Sequence, residues 1–292
     1  MIKRQDIELL RIISAFAIVW YHSGAIGHDI SYGGIVIFLI MSMYLAGNSD
    51  SSNGLQISRR AQRLLIPWLV WFTIYGIFNF VTHKPIIEVD NGIIAGILSG
   101  TSIHLWYMPF IFACLVLFDI ARKYASKGLI AWASATLAIA TLVATPIWRP
   151  ASIELGYPIA QYAQALAGVF LGVFFSYSDE FTKPNKIFLL LVTIIAAAFT
   201  IPYEGVGIPY LIGIAAGLFL IFRIINNVPI IDFTFISQYT LGIYFVHILF
   251  LKVIQTSHLF SGIFLPVSAF LFSAFTIFAI RKISPKTAKY YT

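Results

Sequence analysis

The sequence predicts an all-α integral membrane protein, a single bundle of about ten transmembrane helices with both termini cytoplasmic. Three observations predict it. First, 59% of the 292 residues are apolar and only 11% are charged, against about 25% charged in soluble domains. A folded soluble protein needs polar cover, so a chain this poor in charge belongs in a bilayer. Second, apolar runs that match or approach the roughly 17–25 residues needed to cross recur along the whole chain. Third, the lysines and arginines alternate from one connection to the next as they do in a multi-pass protein.

The runs fall at about 7–26, 32–47, 64–82, 104–121, 128–146, 158–177, 187–202, 207–225, 237–256 and 260–281. The second and seventh are short. Pro67, Pro109, Pro158, Pro209 and Pro266 stand near run starts, where a missing N–H is tolerated. Residues 83–103 form the longest outer connection. Its "GIIAGILSG" (92–100) is too short to cross and suits the membrane interface. The first run lacks a clear small-residue cleavage site and leads directly into further spans, so it reads as a signal-anchor helix.

Topology follows from the basic residues. Sixteen of the 19 Lys and Arg fall on one side of the ten-run scheme, and only Lys84, Arg149 and Lys252 fall on the other. The positive-inside rule puts the richer side, with both termini, in the cytoplasm. The formal net charge of +7 raises nucleic acid as a partner. The clustering of the basic residues at run ends argues for membrane lipids and against nucleic acid. The lone cysteine, Cys114, excludes an internal disulfide and sits in an apolar run, where a packing role fits better than a reactive thiol. The six histidines are dispersed without short paired spacing, so no metal site is expected.

Ionisable groups at membrane depth are costly, and they are functional candidates for that reason. "LRIISAFAIVWYHSG" (10–24) carries two, Arg11 and His22. Eleven residues at about 100° each return to the same helix face, with a rise of about 16 Å. Ala15 and Ile18 lie between them on that face, flanked by Ser14 and Val19. Structural alternatives stay open: Arg11 snorkelling to headgroups, His22 as a hydrogen-bonded bundle residue. Glu8, three residues before Arg11, is placed to pair with it. No carboxylate stands out as an orienter of His22, Asp29 being the nearest weak candidate.

Three further stretches carry polar or aromatic groups. "SRRAQRLLIPWLVW" (58–71) sets Arg59, Arg60 and Arg63 at the cytoplasmic mouth of the third run. Arginine forks match phosphate geometry, although plain anchoring explains such charges as well. "HLWYMPF" (104–110) offers His104, Trp106 and Tyr107, either an aromatic belt or a sugar-binding surface. "SQYTLGIYFVHILFLK" (237–252) places Tyr244 and His247 three apart on one face.

Taken together these stretches resemble the acyltransferase-3 family of integral membrane acyltransferases. The match is carried by the Arg11-x10-His22 spacing, "FLIMSMYLAG" (38–47), "RRAQRLLIPWLVW" (59–71), "HLWYMPF" and "LGIYFVHILF" (241–250), in family order across most of the chain. One departure is that Ser42 is followed by Met43 and Tyr44, where the family pattern has Ser-Gly-aromatic. The resemblance implies one transmembrane acyltransferase domain over 1–292, in a bacterial-type inner membrane. It implies transfer of an acyl group, commonly acetyl from acetyl-CoA, to a hydroxyl of a surface glycan or lipid-linked glycan precursor. His22 takes the place of the family's catalytic histidine and Arg11 that of its motif partner. Arg60 and Arg63, with Arg59 beside them, match the positions linked to the CoA phosphates. Tyr44, His104, Trp106, Tyr107, Tyr244 and His247 are the candidate acceptor-binding residues.

On this reading the CoA nucleotide stays at the cytoplasmic mouth and the pantetheine arm runs up the apolar face towards His22. His22 then acts as general base or forms an acyl-histidine; the sequence leaves both open. The competing class is a proton-coupled transporter or flippase for a glycan or glycolipid, which would also bury Arg and His in a bundle. A retinal-type receptor using Lys252 is disfavoured by the span count and by the place of Lys252 near the outer end.

Overall fold

A computed structural model describes residues 4–49, 56–223, 232–288 and 290. Lys3 and Lys289 of the charge inventory, and the last two residues of the eighth run, lie outside the described residues. About 79% of the described residues are helical, and no strand occurs among them. In chain order the helices are α1 (Gln5–Ser23), α2 (His28–Ser31), α3 (Gly33–Gly47), α4 (Ile57–Val81), α5 (Ile93–Ser99), α6 (Tyr107–Tyr124), α7 (Lys127–Val143) and α8 (Thr145–Leu155). They continue with α9 (Ile159–Ser176), α10 (Lys183–Phe199), α11 (Gly207–Phe222), α12 (Thr234–Ser237), α13 (Thr240–Ser257), α14 (Phe264–Ile283) and α15 (Pro285–Ala288).

Each of the ten apolar runs coincides with a helix, α1, α3, α4, α6, α7, α9, α10, α11, α13 and α14 in turn. Among the described residues five segments are long and apolar enough to cross a membrane: His28–Gly47, Ile57–Val81, Ile159–Ser176, Thr240–Ser257 and Phe264–Ile283. A sixth arises if α7 and α8, bent by 74° at their junction, count as one span. Charge separates α1 and α6 from this set, because Asp6, Glu8 and Arg11 lie in one and Asp119, Arg122 and Lys123 in the other. Residues 145–155, read from sequence as a run end and a loop, form α8, with Pro146 at its start where proline is tolerated. The short α5 exposes Ile93, Ile94 and Ile97, in keeping with a segment lying at an interface.

The chain divides into two compact units. One comprises the described parts of residues 1–41 and 197–288, the other chiefly residues 42–196; α3 begins in the first and ends in the second. In the first unit α1 packs against α13, and also touches α2, α11, α12 and α14. Helix α1 stops where Gly24 turns left-handed at φ 66° and its N–H bonds back to the Tyr21 carbonyl, a conformation glycine adopts without steric cost. Helices α13 and α14 form the other main pair of this unit. Their close approach depends on Gly242, whose absent Cβ would sit 2.7–2.8 Å from three side-chain atoms of Ile277. Small residues at such crossings are how membrane helices gain dispersion contacts.

In the second unit α7 packs along α9, α8 also packs on α9, and α4 packs on α6. The buried stripe of α7 is Ala131, Ala135 and Ala138, and α9 buries Ala165, Gly168 and Gly172, again small side chains that let two helices approach. The start of α7 is capped by Ser126, whose hydroxyl accepts from the Leu129 N–H at 3.2 Å.

Candidate active site

The first unit holds a polar column along α1. At its N-terminal end the Arg4 guanidinium donates to Asp6, a residue with no exposed surface. Arg4 also donates to the Leu220 carbonyl at 2.7 Å. One turn on, Arg11 Nη1 lies 3.1 Å from both oxygens of Glu8, the pair that the three-residue spacing predicts. The Ser237 hydroxyl on α12 also donates to Glu8. Arg11 keeps 27% of its side-chain surface, whereas Glu8 keeps 5%. Further up, Ser14, Ala15, Ile18 and Val19 are all buried. The strip between Arg11 and His22 therefore packs inside protein and does not face lipid.

His22, the last residue but one of α1, is partly exposed. Its ring lies against that of His247, with centroids 5.3 Å apart and planes tilted by 38°. His247 stands mid-way along α13 with no exposed surface. Its Nδ1 is 2.7 Å from the Tyr244 carbonyl and 3.2 Å from that of Ile243. A carbonyl oxygen only accepts, so Nδ1 carries the proton and Nε2 is the lone-pair nitrogen of the neutral ring. The Tyr244 ring lies 6.2 Å from that of His247, and Tyr244 is itself buried. Asp29, on the short exposed α2, lies 3.2 Å from His28 Nδ1.

The second unit holds the arginines of α4 and the aromatic stretch before and within α6. Arg60 Nη2 donates to Asp119 Oδ1 at 2.7 Å. Arg59 and Arg63 are exposed. One turn beyond Asp119, Arg122 donates to the carbonyls of Ala46 and Ser49, each at 2.8 Å, and so ties α6 to the end of α3. Ser42 shares a hydrogen bond of 3.2 Å with the Tyr107 hydroxyl. That contact gives Ser42 a structural role although Met43, fully buried, replaces the family's glycine. Tyr44 is buried on the same helix, its carbonyl accepting from Asn48 at 2.8 Å.

His104, Trp106 and Tyr107 are all buried, and their neighbours are ring systems. The His104 ring meets that of Tyr75 edge-on at 5.3 Å, and its Nδ1 lies 3.2 Å from the Ser102 hydroxyl. Trp106 meets Tyr162 at 6.1 Å and Tyr107 at 6.0 Å. These rings form an aromatic cluster with Tyr75 and Tyr162.

Sequence reasoning missed Ser237 as a partner of Glu8, and Tyr75 and Tyr162 as members of the aromatic cluster. It also left Asp119 without a partner. A signal for that pairing existed, since a carboxylate within an apolar helix needs a cation close by. Among the described residues no cluster of three or more His, Cys, Asp or Glu is arranged to hold a metal ion.

Comparison with curated proteins returns no match, and comparison with solved structures returns none either. A family model does match: that of the acyltransferase-3 family, described as an acyltransferase domain, over residues 4–280. The match takes in α1 with Arg11 and His22, α4 with Arg60 and Arg63, and α13 with His247. An apolar helical chain with those residues in that order, matched nearly end to end, belongs to the acyltransferase-3 family of membrane acyltransferases.

Proposed function

We propose that this protein transfers an acyl group, acetyl in the simplest case, from acyl-CoA to a hydroxyl of a cell-surface glycan or its lipid-linked precursor. The proposed setting is a bacterial-type inner membrane with the arginine-rich ends of the helices in the cytoplasm. The observation that carries the reading is the family match over residues 4–280, with His22 partly exposed inside it.

The chemistry assigned to each residue follows from its type. The acceptor hydroxyl attacks the thioester carbonyl while His22 takes its proton. The tetrahedral intermediate then expels the CoA thiolate, and the imidazolium returns the proton to that sulfur. The products are an ester and free CoA thiol, with no metal or redox partner needed. Arg60 and Arg63 bind the CoA phosphates, since guanidinium forks present several donors in one plane. Arg11, held by Glu8, supports the α1 column from below.

The experiment is cleavage of radiolabelled acetyl-CoA by the purified full chain in nanodiscs, with and without a membrane glycolipid extract, followed as free thiol and as labelled lipid. Label should move to the glycolipid fraction, and His22→Ala should stop it while leaving folded protein. A wild-type protein that binds glycolipid yet never consumes thioester would overturn the reading in favour of transport.

A further inference from the structure

We propose that His247 is a positioning residue for His22, holding its ring from α13. The inference rests on the acyl-transfer reading above and adds a second imidazole to it.

The argument starts from cost. An imidazole wholly inside a membrane helix is expensive unless its polar atoms are engaged. His247 spends Nδ1 on its own helix, through the Tyr244 and Ile243 carbonyls. That anchor fixes both the rotation of the ring and its tautomer, and turns the Nε2 edge away from the α13 backbone. The His247 ring lies against that of His22, with centroids 5.3 Å apart. Helix α1 packs against α13, and Ala15, Ile18 and Val19 along it are buried, so the two rings are brought together by packed helices. A base that is partly exposed needs one rotamer to be productive, and a third group commonly supplies that restraint. Here the nearby carboxylate, Asp29, is engaged with His28; the Tyr21 ring, next to His22 in sequence, meets it edge-on at 5.1 Å, and the His247 ring reaches it from another helix.

A positioning role acts on turnover and not on binding of the donor. Misplacing a catalytic group by about 1 Å costs on the order of 100-fold in rate. In the nanodisc assay, His247→Ala should lower kcat on that order and leave the KM for acetyl-CoA within about twofold. His247→Gln, whose amide reaches the Nε2 position, should recover part of kcat. His247→Phe, which fills the volume and offers no polar edge, should stay as low as alanine. Activities are referred to folded protein, measured as the monodisperse fraction and its thermal midpoint.

Gln active and Phe inactive, both folded, supports the proposal even where the alanine variant does not fold. Gln and Phe equally active overturns it, because packing then suffices. Wild-type kcat in His247→Ala also overturns it. The parent reading is separable: full activity in His22→Ala sinks acyl transfer by His22, whereas an inactive His22→Ala beside a fully active His247→Ala sinks only this inference.

Discussion

Arg60 Nη2 and Asp119 Oδ1, 2.7 Å apart, join α4 to α6 through a contact of which each side chain leaves little to solvent, 13% and 7%. A pair so placed is held by mutual need: either charge left alone would stay in a poorly solvated site. Asp119→Ala is therefore expected to destabilise the solubilised protein by about 3–5 kcal/mol. Replacing both partners by apolar residues, Arg60→Met with Asp119→Leu, should cost less than the single change. Thermal unfolding in detergent measures both. A double variant as weak as the summed singles would show that the two side chains do not depend on each other.

Arg60 offers more than one N–H, so pairing with Asp119 leaves donors for a phosphate. Arg60→Ala should raise the KM for acetyl-CoA by roughly 10–100-fold, the range of a lost charge-assisted hydrogen bond of about 1.5–3 kcal/mol. Arg60→Lys should recover little, because a lysine cannot fork. Initial rates against acetyl-CoA concentration give the answer, and an unchanged KM in both variants returns Arg60 to a purely structural part.

Glu8 is nearly buried and takes hydrogen bonds from Arg11 and Ser237. Ser237→Ala removes one donor and leaves a carboxylate oxygen less well satisfied. The expected loss is about 1–3 kcal/mol, read as a fall in thermal midpoint. Ser237→Thr, which keeps the hydroxyl, should lose less.

Gly242 is a packing prediction with no charge involved. A side chain there meets Ile277, which has no exposed surface and so little room to move. Gly242→Val should cost about 1–3 kcal/mol through overpacking. Since α13 carries His247, the same variant should also lower turnover. Ile277→Ala in the same chain should restore part of both, as expected for contacting neighbours.

Much of the fold is written in one dimension. Hydropathy marks most long helices to within a few residues, because a membrane segment must satisfy its backbone internally and present apolar side chains to lipid; α4 begins seven residues before its apolar run, at the arginine-rich Ile57–Arg63. The Arg11–Glu8 pair and the shared face of Arg11 and His22 follow from helix geometry alone. The helix boundary at α8 was harder to read, since an amphipathic turn rich in proline looks like a loop in sequence.

The pairings between helices were decided elsewhere. Nothing in "LGIYFVHILF" says that His247 faces His22, nor does the sequence of α4 name Asp119, 59 residues away, as the partner of Arg60. Helical periodicity is a property of neighbours along the chain and is legible there. Which face meets which is a property of three-dimensional packing, set by where small residues such as Gly242 allow approach and where buried charges find their opposites. The chain's class and its family were thus readable from residue order, whereas the imidazole pair and the Arg60–Asp119 bridge exist only once the helices are packed.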